Sequence, residues 1–401
     1  MCSKSGVDLS IEFCGVTFNH PFILAASPST DELEMVRDAF RAGWSGAVLK
    51  TTSVENESVD LAYPMISGLD YGNKRMVGMG NIDLISKYHI DVVEKRILNL
   101  KKEFSDRRVI ASISGSNKES WQEVARRTKD AGADLIECSF SCPQGSMGLK
   151  PGAMLGQSPD ASAEVAGWIK QAAGNTPVII KLTPQVDDIV EIAKAVKSAG
   201  ADAVCVGNTI PSIVGIDLDT LIPKPSVGDK STYCGLSGPA VKPISLGCVC
   251  SIAKECEMQI AATGGASSWR DALEFILLGA NVVEFCTAVM HHGYYIIEDI
   301  LNGVLSYLDE KGIDRISTLT GKSLKHVVTH DELSFIKYRP ILNKTKCIKC
   351  NTCVISCRDG GHRAIDLDDK GYPLFDDEKC VGCGLCEAVC PTRCISMEMF
   401  K

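Results

Sequence analysis

The sequence predicts an α/β fold, a (β/α)8 TIM-type barrel followed by a small cysteine-rich C-terminal domain, and three observations lead there. From Phe22 to Val289 short apolar runs alternate with longer amphipathic stretches, the pattern of parallel strands joined by helices. The runs number eight: Phe22–Ser27, Ala47–Thr51, Val109–Ile113, Leu135–Phe140, Val178–Leu182, Ala203–Asn208, Ile260–Gly264 and Val282–Thr287. Eight units within about 290 residues suit a closed barrel better than an open doubly wound sheet. An open dinucleotide fold would also carry G-x-G-x-x-G after its first strand. The nearest approach, Gly78-Met79-Gly80-Asn81, lacks the third glycine and an expected preceding strand.

The connecting stretches read as amphipathic helices, among them Trp121–Asp130, Ile189–Ser198 and Trp269–Leu278. Gly43, Gly132, Gly200 and Gly279 stand just before the next strand, where a left-handed residue closes a helix. Leu9 to Phe18 reads as a small hairpin capping the barrel bottom. Helical patterns run on from Leu301 to about Tyr338, and Pro340 marks a boundary. The expected domains are 1–338, the barrel, and 339–401, a segment dense in Cys, Asp and Lys.

Composition narrows the function classes. Hydrophobic residues make up 45% and charged residues 23% of the 401, ordinary for a globular protein. The net charge of −8 is spread along the chain, which disfavours a nucleic-acid-binding surface. No apolar run approaches the roughly 18 residues that cross a bilayer, and Met1 to Asp8 lacks the apolar core of a secretory signal. A cytoplasmic location without membrane attachment is expected. Of the 19 cysteines, the scattered ones, such as Cys205 inside Ala203-Val204-Cys205-Val206, read as small hydrophobic filler.

Eight cysteines are different. Cys347, Cys350, Cys353 and Cys357 follow C-x2-C-x2-C-x3-C, and Cys380, Cys383, Cys386 and Cys390 repeat it before Pro391. This is the spacing of two four-iron clusters, in which a tight turn aims three thiolates at one cube and the fourth thiolate of each run serves the other. One [4Fe-4S] cluster would take Cys347, Cys350, Cys353 and Cys390. The other would take Cys380, Cys383, Cys386 and Cys357. Zinc sites or disulfides are the competing uses of these thiols. The first run continues as Arg358-Asp359-Gly360-Gly361 instead of a proline, and Cys394 falls outside the spacing and reads as filler. Two such clusters relay single electrons, which calls for a redox partner and for a centre that converts single electrons into hydride, as flavin does.

Catalytic residues of such barrels sit at the C-terminal strand ends. There the sequence offers Lys50, Lys181, Asn208, Thr209, Gly264, Gly265 and Thr287. A buried lysine needs an anionic partner, which a reduced flavin ring could be, and the glycines with Thr287 could wrap a phosphate. After the fourth strand comes Ser139-Phe140-Ser141-Cys142-Pro143-Gln144-Gly145, opening a loop with Gly145, Gly148, Gly152 and Gly156. A loop of this kind can act as a lid, and Cys142 at its base can give or take a substrate proton. Another buried structural cysteine is the plainer reading.

Ile11-Glu12-Phe13-Cys14-Gly15-Val16, Lys181-Leu182-Thr183-Pro184, Gly235-Leu236-Ser237-Gly238 and Cys353-Val354-Ile355-Ser356-Cys357 carry a family resemblance. Over its whole length the chain resembles the catalytic subunits of bacterial NAD-dependent dihydropyrimidine dehydrogenases and, more distantly, the dihydroorotate dehydrogenases. The resemblance implies FMN contacts at Ala25, Ala26, Lys50, Thr51, Lys181, Ser237, Gly238, Gly264, Gly265, Cys286 and Thr287. It implies substrate contacts at Asn81, Ser141, Asn208 and Thr209, and an active-site cysteine at Cys142. It further implies hydride transfer from FMN to one carbon of a pyrimidine 5,6 double bond, protonation of the other by Cys142, and electrons from NADH through a partner flavoprotein subunit, two copies of each forming a heterotetramer.

One position departs from the family. Three residues before the active-site cysteine the family has Asn, and this chain has Ser139. A hydroxyl reaches less far and replaces an amide's donor and acceptor groups. An unpaired polar edge costs about 1–3 kcal/mol, roughly a tenfold to hundredfold loss. Three functions follow as expectations: reduction of uracil or thymine, reduction of another cyclic amide or conjugated alkene, or a ferredoxin-like electron carrier whose barrel is not catalytic.

Overall fold

A computed structural model describes residues 6–55, 59–71, 75–140 and 155–400. The chain divides into two compact units, residues 1–326 and 327–401.

In the first unit eight parallel strands close into a barrel in sequence order. They are Phe22–Leu24, Gly46–Thr52, Arg108–Ile113, Leu135–Ser139, Val178–Leu182, Ala203–Val206, Gln259–Thr263 and Val282–Phe285. The fold expectation holds. Several strands stop short of the expected end: the first at Leu24 and not Ser27, the sixth at Val206 and not Asn208, the eighth at Phe285 and not Thr287. The reason is geometric. At the mouth the chain leaves the ladder to build the site, so residues there keep an apolar neighbourhood without a strand partner.

Helices Leu33–Ala42, Ile90–Glu103, Lys118–Asp130, Pro159–Ala173, Ile189–Ser198, Lys242–Glu255, Trp269–Leu277 and Ile296–Lys311 follow the strands in turn. Asn117, Ser158, Asp188 and Ser268 cap four of them through side-chain oxygens, which satisfies N–H groups that a helix leaves open at its start. The four closing glycines have φ between +92° and +120°. A polar residue two positions after three of them stitches strand starts together. Asp134 accepts from the Val109 N–H and Asp202 from the Val178 N–H, both at 2.8 Å, and Asn281 from the Ile260 N–H at 2.9 Å.

The N-terminal hairpin pairs Ile11–Phe13 with Val16–Phe18. Phe13 and Phe18 are fully buried and pack with Ile23, Val48, Ile110, Leu135, Ile179 and Val282 from the strand interiors. The hairpin therefore plugs the barrel bottom, leaving only the opposite end for chemistry.

Two insertions build the mouth. The one after the second strand carries Ile66–Tyr71 and Arg75–Asn81, and the one after the sixth carries Ile210–Ser212 and Cys234–Ser237. Together they form a four-stranded antiparallel sheet. Its register sets Asn81 opposite Gly235 and Met79 opposite Ser237. Gly78-Met79-Gly80-Asn81 thus belongs to a sheet strand. A Cβ at Gly80 would lie 2.7 Å from Val214 and 2.8 Å from the Cys234 sulfur, so the glycine is there for close packing.

The second unit pairs Tyr338–Leu342 with Ile395–Met399 and Ile365–Leu367 with Pro373–Phe375. Its two cysteine runs enter helices Thr352–Gly360 and Leu385–Ala388. The first helix extends past its last cysteine, Cys357. Pro391 follows Cys390, and the second helix is already over by then.

Phe18→Ala should cost the barrel about 3–5 kcal/mol, the usual price of deleting a fully buried aromatic ring. Denaturant titration of the intact chain, following the fluorescence of buried Trp44 and Trp121, measures it.

Candidate active site and iron–sulfur ligands

The open end of the barrel holds a branched hollow. Its larger lobe, about 200 Å³, is lined by Ala26, Lys50, Thr51, Asn81, Asp83, Ser139, Lys181, Asn208, Thr209, Ser237 and Cys286, among others. A smaller lobe of about 90 Å³ shares part of that lining and adds Ala25, Gly238, Gly264, Gly265, Glu284 and Thr287. Every residue expected at the FMN site therefore lies on one of the two lobes, as do Asn81, Ser139, Asn208 and Thr209 of the expected substrate set. Ser141 and Cys142 lie outside the described residues. Their approach is described: Ser139 ends the fourth strand, and the Gly156 N–H donates to the Phe140 carbonyl at 2.8 Å.

Both lysines are buried and both already have carboxyl partners, which the strand-end pattern does not reveal. Lys50 donates to Asp83 at 2.7 and 2.8 Å. Lys181 Nζ stands 3.4 Å from Glu137 Oε1 and 3.5 Å from Glu284 Oε2, with both acids sealed from solvent. The remaining oxygens, Glu137 Oε2 and Glu284 Oε1, are buried without a hydrogen-bond partner among the described residues. Cys205 completes this knot: one ligating atom each from Glu137, Cys205 and Glu284 falls within 4.8 Å of the others. The Lys181 ammonium is the cation they surround.

Electrostatics decides how the knot is charged. Burial alone works against the Lys181 ammonium, but Cys205, Glu137 and Glu284 around it reverse the sign and hold it well above the ordinary lysine range. Burial pushes the Glu284 carboxyl up to about 8, and repulsion from Glu137 adds to this against the opposing pull of Lys181. Burial likewise holds the Cys205 thiol well above its usual value. At neutral pH Glu284 is thus mainly the protonated acid. A sealed site with one ammonium and two carboxyl groups is nearest to neutral when one carboxyl keeps its proton.

Neighbouring polar groups are tied to the scaffold. Asn81 Nδ2 donates to the Gly235 carbonyl at 3.0 Å, Ser237 Oγ to the Met79 carbonyl at 3.1 Å, and Thr51 shares a hydrogen bond of 2.8 Å with Ser112. The Thr209 N–H donates to Asn208 Oδ1 at 2.7 Å. Cys286 is held protonated by burial, against the influence of Lys181.

The lining suits a planar ring that ends in a phosphate. Two lysines and several fixed amide and hydroxyl groups face the larger lobe. The smaller lobe is walled by Gly264 and Gly265, both at φ +98°, where a Cβ would meet Ser245 Oγ at 2.4 Å or the Lys242 backbone at 2.6 Å. Such glycine walls let backbone N–H groups approach an anion closely.

In the second unit the expected ligands gather in the crossed sets. Cys347, Cys350, Cys353 and Cys390 line one small cavity, and Cys357, Cys380, Cys383 and Cys386 line another. Cys394 also lines the first cavity.

A closed barrel with this mouth, followed by a domain of crossed cysteine sets, defines a barrel oxidoreductase that carries its own electron relay. Comparison with known proteins agrees. The dihydroorotate dehydrogenase family matches residues 8–308, and the 4Fe-4S dicluster domain matches residues 341–397. The chain is 39% identical over 402 aligned positions to the NAD-dependent dihydropyrimidine dehydrogenase subunit PreA of Escherichia coli K12, covering 98% of this chain and 96% of that protein. It is 35% identical to the chloroplastic NADP(+) dihydropyrimidine dehydrogenase of Arabidopsis thaliana, over 82% of this chain and 80% of that one. It is 33% identical to the catalytic subunit of dihydroorotate dehydrogenase B of Pyrococcus abyssi, over 79% of this chain and 99% of that one.

This chain belongs to the dihydroorotate dehydrogenase family, as a catalytic subunit homologous to bacterial NAD-dependent dihydropyrimidine dehydrogenase with a C-terminal 4Fe-4S dicluster domain. It is an oxidoreductase acting on a CH–CH group, so a carrier with an idle barrel is set aside. Among the described residues no helix is long and apolar enough to cross a membrane.

The Glu284 carboxyl gains its proton on folding, so its contribution to stability is full below the ordinary carboxyl range and is lost as pH rises towards 8. The cofactor-free chain should therefore lose on the order of a few kcal/mol between pH 5 and 8. Glu284→Gln should flatten that slope, as read by denaturant midpoints at each pH.

Proposed function

We propose that this chain reduces the 5,6 double bond of uracil or thymine, with FMN in the barrel hollow and two [4Fe-4S] clusters bringing electrons from NADH through a partner flavoprotein subunit. The observation that carries this reading is the meeting of two buried lysines, a glycine-walled lobe and a row of fixed polar groups at one barrel mouth, in a chain of this family. We further propose a cytoplasmic heterotetramer of two such subunits with two partners.

Lys50, Thr51, Lys181, Ser237 and Cys286 would hold the ring, together with Ala25 and Ala26. Gly238, Gly264, Gly265 and Thr287 would hold the phosphate. When bound, FMN supplies hydride and converts single electrons into pairs. The chain does the rest. Asn81, Asn208 and Thr209, with Ser139 and Ser141, would orient the substrate ring through hydrogen bonds, and the bond from Asn81 to the Gly235 carbonyl limits how far that amide can turn. Lys181 offers its positive charge from a nearly neutral knot, so it can favour negative charge in the hollow without leaving a bare cation when the hollow is empty. Cys142, as thiol, gives the proton to the second carbon and regains it from solvent.

Cys142→Ala should lower uracil turnover by about 10²- to 10⁴-fold, the range for losing a positioned acid. Reduction of the bound flavin by NADH through the partner should continue at the parent rate. Anaerobic assays following the pyrimidine absorbance and the flavin spectrum separate the two steps.

Ser139 favours a second reading, a different cyclic amide or conjugated alkene. It lines the larger lobe, where the family's longer amide would bond the substrate. Ser139→Asn decides between them. Under the leading reading kcat/KM for uracil moves by less than about threefold. A gain of about tenfold to hundredfold would mark the native substrate as another ring.

A further inference from the structure

The C-terminal unit holds nine cysteines, one more than two clusters need. The ninth, Cys394, is buried against Cys390. Its backbone N–H donates to Cys390 Sγ at 3.3 Å, and its own sulfur lies 3.4 Å from the same atom. Thr392 Oγ1 is 3.7 Å from Cys390 Sγ, and Thr352 Oγ1 donates to Cys350 Sγ at 3.3 Å. Once Cys390 binds iron as a thiolate it has no proton to give, so Cys394 and Thr392 must be the donors.

The internal repeat supplies its own control. In the first half the Ala364 N–H donates to Cys357 Sγ, also at 3.3 Å. Ile365 then opens a strand as Ile395 does after Cys394. Ala364 is thus the counterpart of Cys394 and has no donor group on its side chain. The counterpart of Thr352, two residues after the second cysteine of its run, is Leu385, which has none either. Side-chain donors are therefore concentrated on one ligand set, while the backbone donor to the fourth cysteine is common to both.

Hydrogen bonds to cluster sulfurs stabilise the extra negative charge of the reduced cluster and raise its potential. We propose that the two clusters are unequal, the one held by Cys347, Cys350, Cys353 and Cys390 being the easier to reduce, and that Cys394 is a positioning residue that raises its potential through the thiol hydrogen bond to Cys390. A single electron entering the domain settles on that cluster. This inference rests on the two-cluster reading above.

The test is an anaerobic redox titration of the cluster-loaded full chain, followed by electron paramagnetic resonance with an iron count. The parent should show two midpoints. Cys394→Ala should lower only the higher one by about three- to tenfold in the reduction equilibrium, about 30–60 mV at 59 mV per tenfold, and Cys394→Ser, which keeps a donor, should restore most of it. Ala364→Ser should raise the lower midpoint, and this reciprocal variant stands if Cys394→Ala folds poorly. Fewer than eight irons in the parent would sink the two-cluster reading itself. With eight irons present, a single shared midpoint, unmoved midpoints in both variants, or loss of one cluster in Cys394→Ala (which would make Cys394 a ligand) would overturn the inference.

Discussion

A lysine ammonium at the centre of a closed barrel has to be compensated, and the way Lys181 is compensated governs the rest of the site. It stands between Glu137 on the fourth strand and Glu284 on the eighth. Because the strands are parallel and in sequence order, these side chains enter the barrel from different sides at similar depth. A lone lysine there would lose its proton to avoid desolvation, and two ionised acids would over-compensate it. One ammonium with one shared proton is the state that the burial permits. It leaves a site whose charge can respond to what occupies the hollow, since neither acid has all its oxygens satisfied.

That arrangement explains which parts of the site could be read from sequence. Strand ends are legible because apolar runs stop there, so Lys50, Lys181, Asn208, Gly264 and Thr287 could be picked out by position alone. Glu137 and Glu284 do not stand out because each sits inside an apolar run, as in Leu135-Ile136-Glu137-Cys138 and Val282-Val283-Glu284-Phe285. The signal was present nonetheless. A carboxylate in a fully buried strand demands a partner, and Lys181 ends the strand beside that of Glu137. Asp83 was harder, since it follows an insertion whose strands cannot be told from a loop by periodicity.

The four-stranded sheet at the mouth leaves no such mark in the sequence. Its strands come from insertions more than a hundred residues apart, so neither alternation nor turn chemistry marks the pairing. Yet this sheet places Asn81 against Gly235 and Ser237 against Met79. Family resemblance supplied those residues; no local pattern could have done so. Strands end earlier than their composition suggests for a related reason. Past Leu24 the small apolar Ala25 and Ala26 line a buried hollow, and burial leaves the same imprint on composition there as a strand does.

The cysteine domain shows the opposite balance. The expected ligand sets there follow from spacing, because a cube of iron and sulfur demands fixed reach from fixed turns. What spacing does not contain is the surroundings of the sulfurs. Cys394 reads as filler in a list of residues and becomes a donor only when the turn Pro391-Thr392-Arg393 folds it back on Cys390. Barrel and relay thus follow one physical rule: the charge a redox group must accept is met by hydrogen-bond donors and shared protons, and each counts for more where burial keeps water from competing. Residues that look inert in sequence, a glutamate in an apolar strand or a ninth cysteine, carry that role because burial sets them against the charged group.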